Sequence, residues 1–548
     1  MNMLAVRRTG GRIAISAGRT GDAAREHMLP SFVAMSGQAN RIASRLSEAI
    51  GDRYWRLEYS KLIAGDGFAV IGQGQEIAEQ AGSEETVQVF SGVIDPARVR
   101  FASAHELAAK GNGIVGMKST GLLLRLRYLV SALTAFAVWL WSLLRFGWGN
   151  RLSACEGKAC LIAVHGEISN RTRHVLAAAA QSDQVAAIIV LGRPVSSLAA
   201  LRAQFSSELR LHETPVCRPI GIRAALRSLP RLFGLIVSGS SVASATGFMP
   251  RWQDEIAVLY RMCLGACSYE WWKEQAISPG IVVYGQTGLA DTSMLEAAQQ
   301  EAGAKTVHWV HGLSGGWNFT GLSDLGLFKC GLDADTHSKL PEYGKTGFFE
   351  LPKPAYREGN GNRWLLLTNY AHPSNLYFGH GAVDLEIQTL RIATDAALRT
   401  GISSDQIVWR PHPVFWSLPI RTRNAILASV SDTGIALPEP DGAAPSYEEY
   451  RAVFCTPSTV AVEMLASGIL PIIIAPHDIA PETVYTAFPL RAANASALEA
   501  ALTSLADRPT VSALFETTWH RVRPGDADIG LADIVGRLAS VVEQGRQG

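Results

Sequence analysis

From residue 159 onward the chain alternates short, almost unbroken apolar runs with helical stretches, and this alternation constrains the fold more than any other feature. Strands covered on both faces read as continuous hydrophobic runs, and strand–helix–strand alternation implies a parallel sheet. The first set of expected strands is ACLIAVHG (159–166), AAIIVLG (186–192), a short run at 235–237, GIVVYG (280–285) and TVHWVHG (306–312). Helices are expected at 172–180 and 252–275. A stretch rich in Gly, Pro, Lys and Glu at 333–362 reads as a linker. The pattern then repeats with WLLLTN (364–369), a helix at 384–399, QIVWRPHP (406–413), AVFCTPS (452–458), a helix at 460–467, LPIIIAP (470–476) and a helix at 495–506.

The expected class is therefore α/β, with two successive Rossmann-like parallel-sheet domains, 151–345 and 363–548, facing a cleft. Ligands of such sheets bind at the carboxyl ends of the strands. Residues 1–120 form an extra α/β region, with strands expected at 68–71 and 87–90 and helices at 75–81 and 103–109. One strongly apolar helix falls within 121–150. Its uncharged core, YLVSALTAFAVWLWSLL (128–144), is flanked by Arg125, Arg127, Arg145 and Arg151, and Trp139, Trp141 and Trp148 lie toward one end. Three readings stay open: a buried helix between domains, a helix lying in the membrane plane, or a span.

At 47% hydrophobic and 18% charged, the 548 residues have globular composition. The net charge of +1 gives no bulk reason to expect nucleic acid. Seven scattered cysteines fit neither a disulfide framework nor zinc spacing, and read as reduced core thiols. The first sixteen residues contain no apolar signal core, so a cytoplasmic start is expected.

Two loops carry the chemistry. Arg410-Pro411-His412-Pro413 follows an expected strand and is stiffened by its prolines, and guanidinium and imidazole N–H groups both bind phosphate oxygens. Thr456-Pro457-Ser458-Thr459 lies between a strand and a helix start, where backbone N–H groups converge on an anion, and Ser458 or Thr459 is expected to cap the helix and also to offer a hydroxyl to phosphate. Glu463 sits one helical turn beyond Thr459, placed to accept from sugar or ribose hydroxyls or simply to decorate the helix. A second His-Pro, His372-Pro373, follows strand 364–369.

The order strand-RPHP, then strand-TPSTVAVEMLASGILPIII, resembles the donor half of bacterial GT-B glycosyltransferases that build surface or capsular polysaccharides. It is similar to the sialyl-, polysialyl- and Kdo-transferase-like group using CMP-activated sugars, and to CDP-glycerol-using polymerases. The resemblance implies donor-phosphate contacts from His412, Ser458 and Thr459, with Arg410, Pro413 and Glu463 in the same site. The Ser458, Glu463, Gly468, Pro471 pattern is shared by many GT-B families and speaks for the fold. In the first half, VHWVHGLSGGW (307–317) resembles a His-Gly loop near the cleft of capsule transferases, which implicates His311.

The acidic D/E-D/E-G element of sialyltransferase-type enzymes has no counterpart at a strand end in the first half. Glu167 and Asp291 are the available acids for deprotonating an acceptor hydroxyl, though Asp291 also suits a helix N-cap. Asp333-Ala334-Asp335 falls in the expected linker, so no metal is expected. The motifs of P-loop ATPases, dinucleotide-binding dehydrogenases and α/β-hydrolases are missing.

The expected function is glycosyl transfer from a nucleotide-activated donor, a CMP-sugar such as CMP-Kdo or a CMP-nonulosonate first, to a surface polysaccharide or glycolipid. CDP-glycerol or UDP/GDP-sugar transfer, a GT-B-like epimerase or hydrolase, and a non-catalytic scaffold of an assembly complex remain alternatives. The donor is a substrate, and no cofactor is expected. The expected partners are the donor, a glycan or glycolipid acceptor and a peripheral membrane contact, at the inner face of the cytoplasmic membrane.

Overall fold

The computed structural model describes residues 3–9, 12–18, 86–89, 114–115, 121–145, 155–156, 159–164, 185–191, 210–214, 221–246, 252–274, 277–278, 281–284, 292–310, 323–338, 345–370, 381–435, 446–476, 479 and 483–525. In chain order the first elements are β1 (Met3–Thr9), β2 (Arg12–Gly18), β3 (Thr86–Val89), β4 (Ile114–Val115) and α1 (Gly121–Arg145). Next come β5 (Cys155–Glu156), β6 (Ala159–Val164), β7 (Val185–Leu191), β8 (Arg210–Thr214), α2 (Ile222–Thr246) and α3 (Trp252–Glu274). They are followed by β9 (Ile277–Ser278), β10 (Ile281–Tyr284), α4 (Thr292–Glu301), β11 (Lys305–Trp309), β12 (Leu325–Phe328), α5 (Gly331–Ser338) and β13 (Lys345–Phe348). The last third holds β14 (Trp364–Thr368), α6 (Gly381–Arg399), β15 (Ile407–Pro411), α7 (Ile420–Thr433), β16 (Ala452–Cys455) and α8 (Val460–Ala466). It closes with β17 (Ile472–Ile474), β18 (Arg491–Ala492), α9 (Ala495–Leu505) and α10 (Arg508–Val522).

β1 to β4 form a mixed sheet in which only the β1–β2 pair is antiparallel. The large first-half sheet has the order β13-β12-β11-β10-β6-β7-β8 and is parallel throughout. The second parallel sheet has the order β15-β14-β16-β17-β18. Two parallel sheets in succession are the architecture the alternation implied, and a four-stranded N-terminal sheet and one strongly apolar helix precede them.

The inner strands β14, β16 and β17 are covered on both faces, which is why they are unbroken apolar runs. Trp364, Leu365, Leu366, Phe454, Ile472, Ile473 and Ile474 are all buried in one core with Leu390, Ala393 and Ala397 of α6 and Leu498 of α9. Phe454 meets Trp364 edge-on at 5.2 Å. The chain then returns: Gly331 N–H donates to Arg523 O, Leu351 N–H to Pro524 O and Gly525 N–H to Lys329 O. Residues 523–525 thus lie along the end of β12 and tie the C-terminal segment to the first parallel sheet.

Two expectations are corrected. Residues 235–237 lie inside α2 rather than in a strand. The buried positions Ala224, Ala225, Ser228, Leu232, Leu235 and Gly239 recur every three or four residues, which is helical spacing. The 333–362 stretch carries part of α5 and all of β13, and of its described residues 349–362 lie outside the named helices and strands. The strands expected at 87–90, 159–166, 186–192, 280–285 and 306–312 and the helix at 252–275 are present within a few residues, whereas 68–71, 75–81, 103–109 and 172–180 lie outside the described residues.

Helix α1 packs its inner face against α2 and α3. Tyr128 hydroxyl donates to Leu235 O (3.1 Å), and Ser131 hydroxyl donates to Glu255 (2.7 Å) beside Arg127. Gly239 lets the two helices approach, because a Cβ there would overlap the Tyr128 ring and hydroxyl. Among the described helices, one stretch, Arg125–Leu144, is long and apolar enough to cross a membrane. Cys263, Cys267, Cys330 and Cys455 are free and buried, and burial pushes the Cys263 and Cys267 thiols up to about 12.

Candidate functional site

The order β15-β14-β16 places the topological switch point of the second sheet at β14, whose chain neighbours leave to opposite sides. The crevice beyond the carboxyl ends of such strands is where ligands bind in open α/β sheets. Both loops singled out in the sequence lie there. Arg410-Pro411-His412-Pro413 ends β15, and Thr456-Pro457-Ser458-Thr459 ends β16, with the Asn369 loop of β14 between them.

Each loop is anchored on β14. His412 N–H donates to Thr368 O (2.8 Å), Thr456 N–H donates to Leu367 O (3.0 Å), and Phe415 N–H closes back on His412 O (2.8 Å). Pro411 is the buried last residue of the strand, while His412 and Pro413 are exposed, with Pro413 opening a 3₁₀ turn over Pro413–Ser417. The strand alternates, so Trp409 points into the core and Arg410, half-buried, points the other way. Trp409 Nε1–H donates to Thr368 Oγ1 (2.9 Å), and Thr368 hydroxyl donates to the buried Glu386 carboxylate. This chain fixes the floor beneath the His412 loop.

Asn369 clasps the other loop. Its backbone N–H donates to Thr456 Oγ1 (3.0 Å), the Thr456 hydroxyl donates to Asn369 Oδ1 (2.7 Å), and Asn369 Nδ2–H donates to Pro457 O (3.1 Å). Thr456 is fully buried, whereas Ser458 and Thr459 are half-exposed. Thr459 stands at the N-cap position with helical dihedrals (φ −55°, ψ −30°) and forms no side-chain cap. This corrects the expectation that a hydroxyl of this loop caps the helix. Among the described residues the Ser458 hydroxyl has no hydrogen-bond partner, so it is available to a ligand. α8 is only seven residues long, so hydroxyls and side-chain cations matter more here than a helix dipole.

Glu463 lies on α8 with its carboxylate 3.8 Å from Lys329 Nζ. Lys329 follows β12 directly and is itself buried, so the carboxyl end of the first parallel sheet delivers a cation to the edge of the second sheet's loops. Lys329, Asn369, Thr368 and Glu386 were not singled out from the sequence. Asn369 could have been noticed as the polar residue ending the run WLLLTN; the partnership of Lys329 with Glu463 is purely tertiary. Gly468 of the Ser-Glu-Gly-Pro pattern ends α8 at φ +86°. Its N–H donates to Leu465 O and that of Ile469 to Met464 O, the paired bonds of a Schellman cap.

Asp333 is buried on α5, while Asp335 is exposed and paired with Arg523, so the two carboxylates diverge. Among the described residues no group of three His, Cys, Asp or Glu side chains is placed to hold a metal ion. Glu167, Asp291, His311 and the His372-Pro373 loop lie outside the described residues.

No protein-family model matches the chain, and no curated protein matches it. Among solved structures it is similar to an O-GlcNAc transferase mutant from Thermobaculum terrenum, at 12% identity over 94% of this chain and 97% of that one, with a TM-score of 0.38. It is also similar to Anabaena HepE solved with UDP and glucose, at 9% identity over 70% of this chain and 100% of that one, TM-score 0.39. A UDP-glucosyltransferase from Polygonum tinctorium capable of glucosylating indoxyl follows at 11% identity, covering 71% of this chain and 99% of that one, TM-score 0.33. Likeness at this level does not fix a function.

Proposed function

We propose that the chain is a GT-B-type glycosyltransferase whose second parallel sheet holds the nucleotide end of an activated sugar. The observation that carries this reading is the clasp between Asn369 and Thr456 at the switch point of that sheet. It holds a hydroxyl-bearing turn beside a His-Pro loop, where an open α/β sheet takes its ligand. His412, Arg410 and the Ser458 hydroxyl would bind the donor phosphate, with Thr459 beside them, and Pro413 would hold the His412 loop rigid. Glu463, oriented by Lys329, would accept hydrogen bonds from ribose or sugar hydroxyls.

In the reaction the acceptor hydroxyl oxygen attacks the anomeric carbon as the bond from that carbon to the phosphate oxygen breaks. The electron pair leaves on the phosphate, where fixed donors stabilise the growing charge. The proton passes to a base, for which Asp291, Glu167 and His311 are the proposed groups. The Arg410 guanidinium, with the hydrogen-bond donors of His412 and Ser458, stands in for a metal in this scheme. A CMP-activated acidic sugar is the favoured donor, ahead of UDP- or GDP-sugars and CDP-glycerol, and a surface polysaccharide or glycolipid is the favoured acceptor.

The test is product analysis with radiolabelled CMP-, UDP- and GDP-sugars and CDP-glycerol, with a membrane glycolipid extract as acceptor. Transfer of label to acceptor supports the reading. Release of free sugar or epimerised donor alone points to the hydrolase or epimerase alternative, and no turnover of any donor points to a scaffold.

A further inference from the structure

Helices α1 and α2 each have two apolar faces where a packed helix needs one. Their inner faces are filled: Ala132, Ala135 and Trp139 of α1 and Ala224, Leu232 and Leu235 of α2 are buried. Their outer faces are apolar as well. Twelve of the fifteen exposed large hydrophobic residues among those described lie on these two helices, so the exposure is a feature of this layer rather than of the surface at large. On α2 the exposed residues Ile222, Leu226, Leu229, Phe233 and Val237 are spaced three or four apart and form one stripe. On α1, Leu126, Val130, Leu133, Leu140 and Leu144 lie on one face, with two helical turns between Leu133 and Leu140 and Trp141 beside the last turn. Exposure reaches 68% at Phe233 and 87% at Leu144.

The charges on this face have one sign. Neither helix contains an Asp or Glu over its 25 residues. Arg227 and Arg231 turn to Glu274 and Glu270 of α3, while Arg125 and Arg223 stand exposed near the starts of α1 and α2. An acid-free apolar stripe with exposed arginines complements an anionic lipid surface, with apolar side chains below the head groups and guanidinium groups among them. The same arrangement disfavours a span. α1 is hydrogen-bonded along its inner face to α3, which carries Glu255, Glu270, Lys273 and Glu274, and α2 repeats arginine at every fourth position from 223 to 231. Such a layer could not be taken into hydrocarbon without burying those charges.

We propose that the outer faces of α1 and α2 together form a docking face that seats on an anionic phospholipid bilayer, with both helices lying in the membrane plane. This holds whether or not the chain is a transferase. The two stripes anchor the first parallel-sheet half, and the arginines select anionic lipid.

The test is cosedimentation of the full chain with vesicles of phosphatidylglycerol and phosphatidylcholine, and with vesicles of phosphatidylcholine alone. Binding to the mixed vesicles is expected to be at least about tenfold tighter, given the salt-sensitive attraction of exposed arginines to anionic lipid. The double variant Leu133→Glu, Phe233→Glu should lose vesicle binding while keeping its circular dichroism spectrum, because both side chains are exposed. A second variant, Arg125→Gln, Arg223→Gln, should lose the preference for phosphatidylglycerol with the apolar face intact. The proposal is overturned if the chain does not sediment with either vesicle or if the Leu133, Phe233 variant binds as the parent does. It is also overturned if the chain forms a dimer in lipid-free solution that this variant disperses, since the face would then belong to a second copy.

Discussion

Asn369 and Thr456 hold each other twice across the gap between β14 and β16, backbone N–H to hydroxyl at 3.0 Å and hydroxyl to amide oxygen at 2.7 Å. A third bond runs from Asn369 Nδ2 to Pro457 O, so one side chain sets the conformation of the turn that carries Ser458 and Thr459.

Asn369→Ala is therefore expected to destabilise the chain by about 1–2 kcal/mol, the cost of leaving buried polar groups unpaired. Donor affinity should fall more than that stability loss explains, since the turn is released at the ligand side. Urea unfolding and calorimetric titration of nucleotide, run on the same preparation, separate the two effects.

Thr368→Val keeps the shape of the strand end but removes the hydroxyl that joins Trp409 Nε1 to Glu386. Two buried polar groups each lose this hydrogen bond, and a loss of about 2–3 kcal/mol is expected in urea melts. Because His412 is anchored through the Thr368 carbonyl, which the substitution leaves in place, the His412 loop should keep its position.

Most of this frame could be read from residue types. β14 and β16 are the runs WLLLT and AVFC because both of their faces are covered, and turn residues end each run at the ligand side. The misreading of 235–237 has the same physical source: three apolar residues do not separate a strand from a helical turn, and only the longer spacing through Leu232 and Gly239 does. α7 and α10 escaped notice because their apolar residues are interrupted by Ser, Thr and Arg. The Lys329–Glu463 pair could not be read at all, because Lys329 follows β12 and Glu463 lies on α8, and the two meet only through the fold.

Lys329→Met removes the cation from beside Glu463 while keeping most of the apolar stem. Glu463 is partly exposed, so stability should change little. Donor affinity should fall about tenfold, equivalent to about 1.4 kcal/mol, if Lys329 orients the carboxylate toward the ligand. Titration calorimetry on the variant reads this directly, and Lys329→Arg should recover part of the loss.

His337 is buried on α5 and stacks on Phe328 at 4.6 Å. Burial lowers its pKa below the usual 6.5, against a smaller opposite effect of Asp333. The unfolded chain then takes up a proton below pH 6.5 that the folded chain resists, so the contribution of His337 to stability is full above that pH. It is lost as pH falls through the lowered value. Urea midpoints at pH 7.5 and 5.5 should differ less in His337→Gln than in the parent.

The central claim is that the loops at 410–413 and 456–459 bind one nucleotide through its phosphate. The direct measurement is titration calorimetry of the full chain with CMP, CDP, UDP and GDP, repeated on His412→Ala, Ser458→Ala. Saturable binding of one nucleotide, weakened at least about tenfold in the double variant, is expected from the loss of two phosphate contacts. Binding of none of the four, or equal binding by parent and variant, would contradict the account.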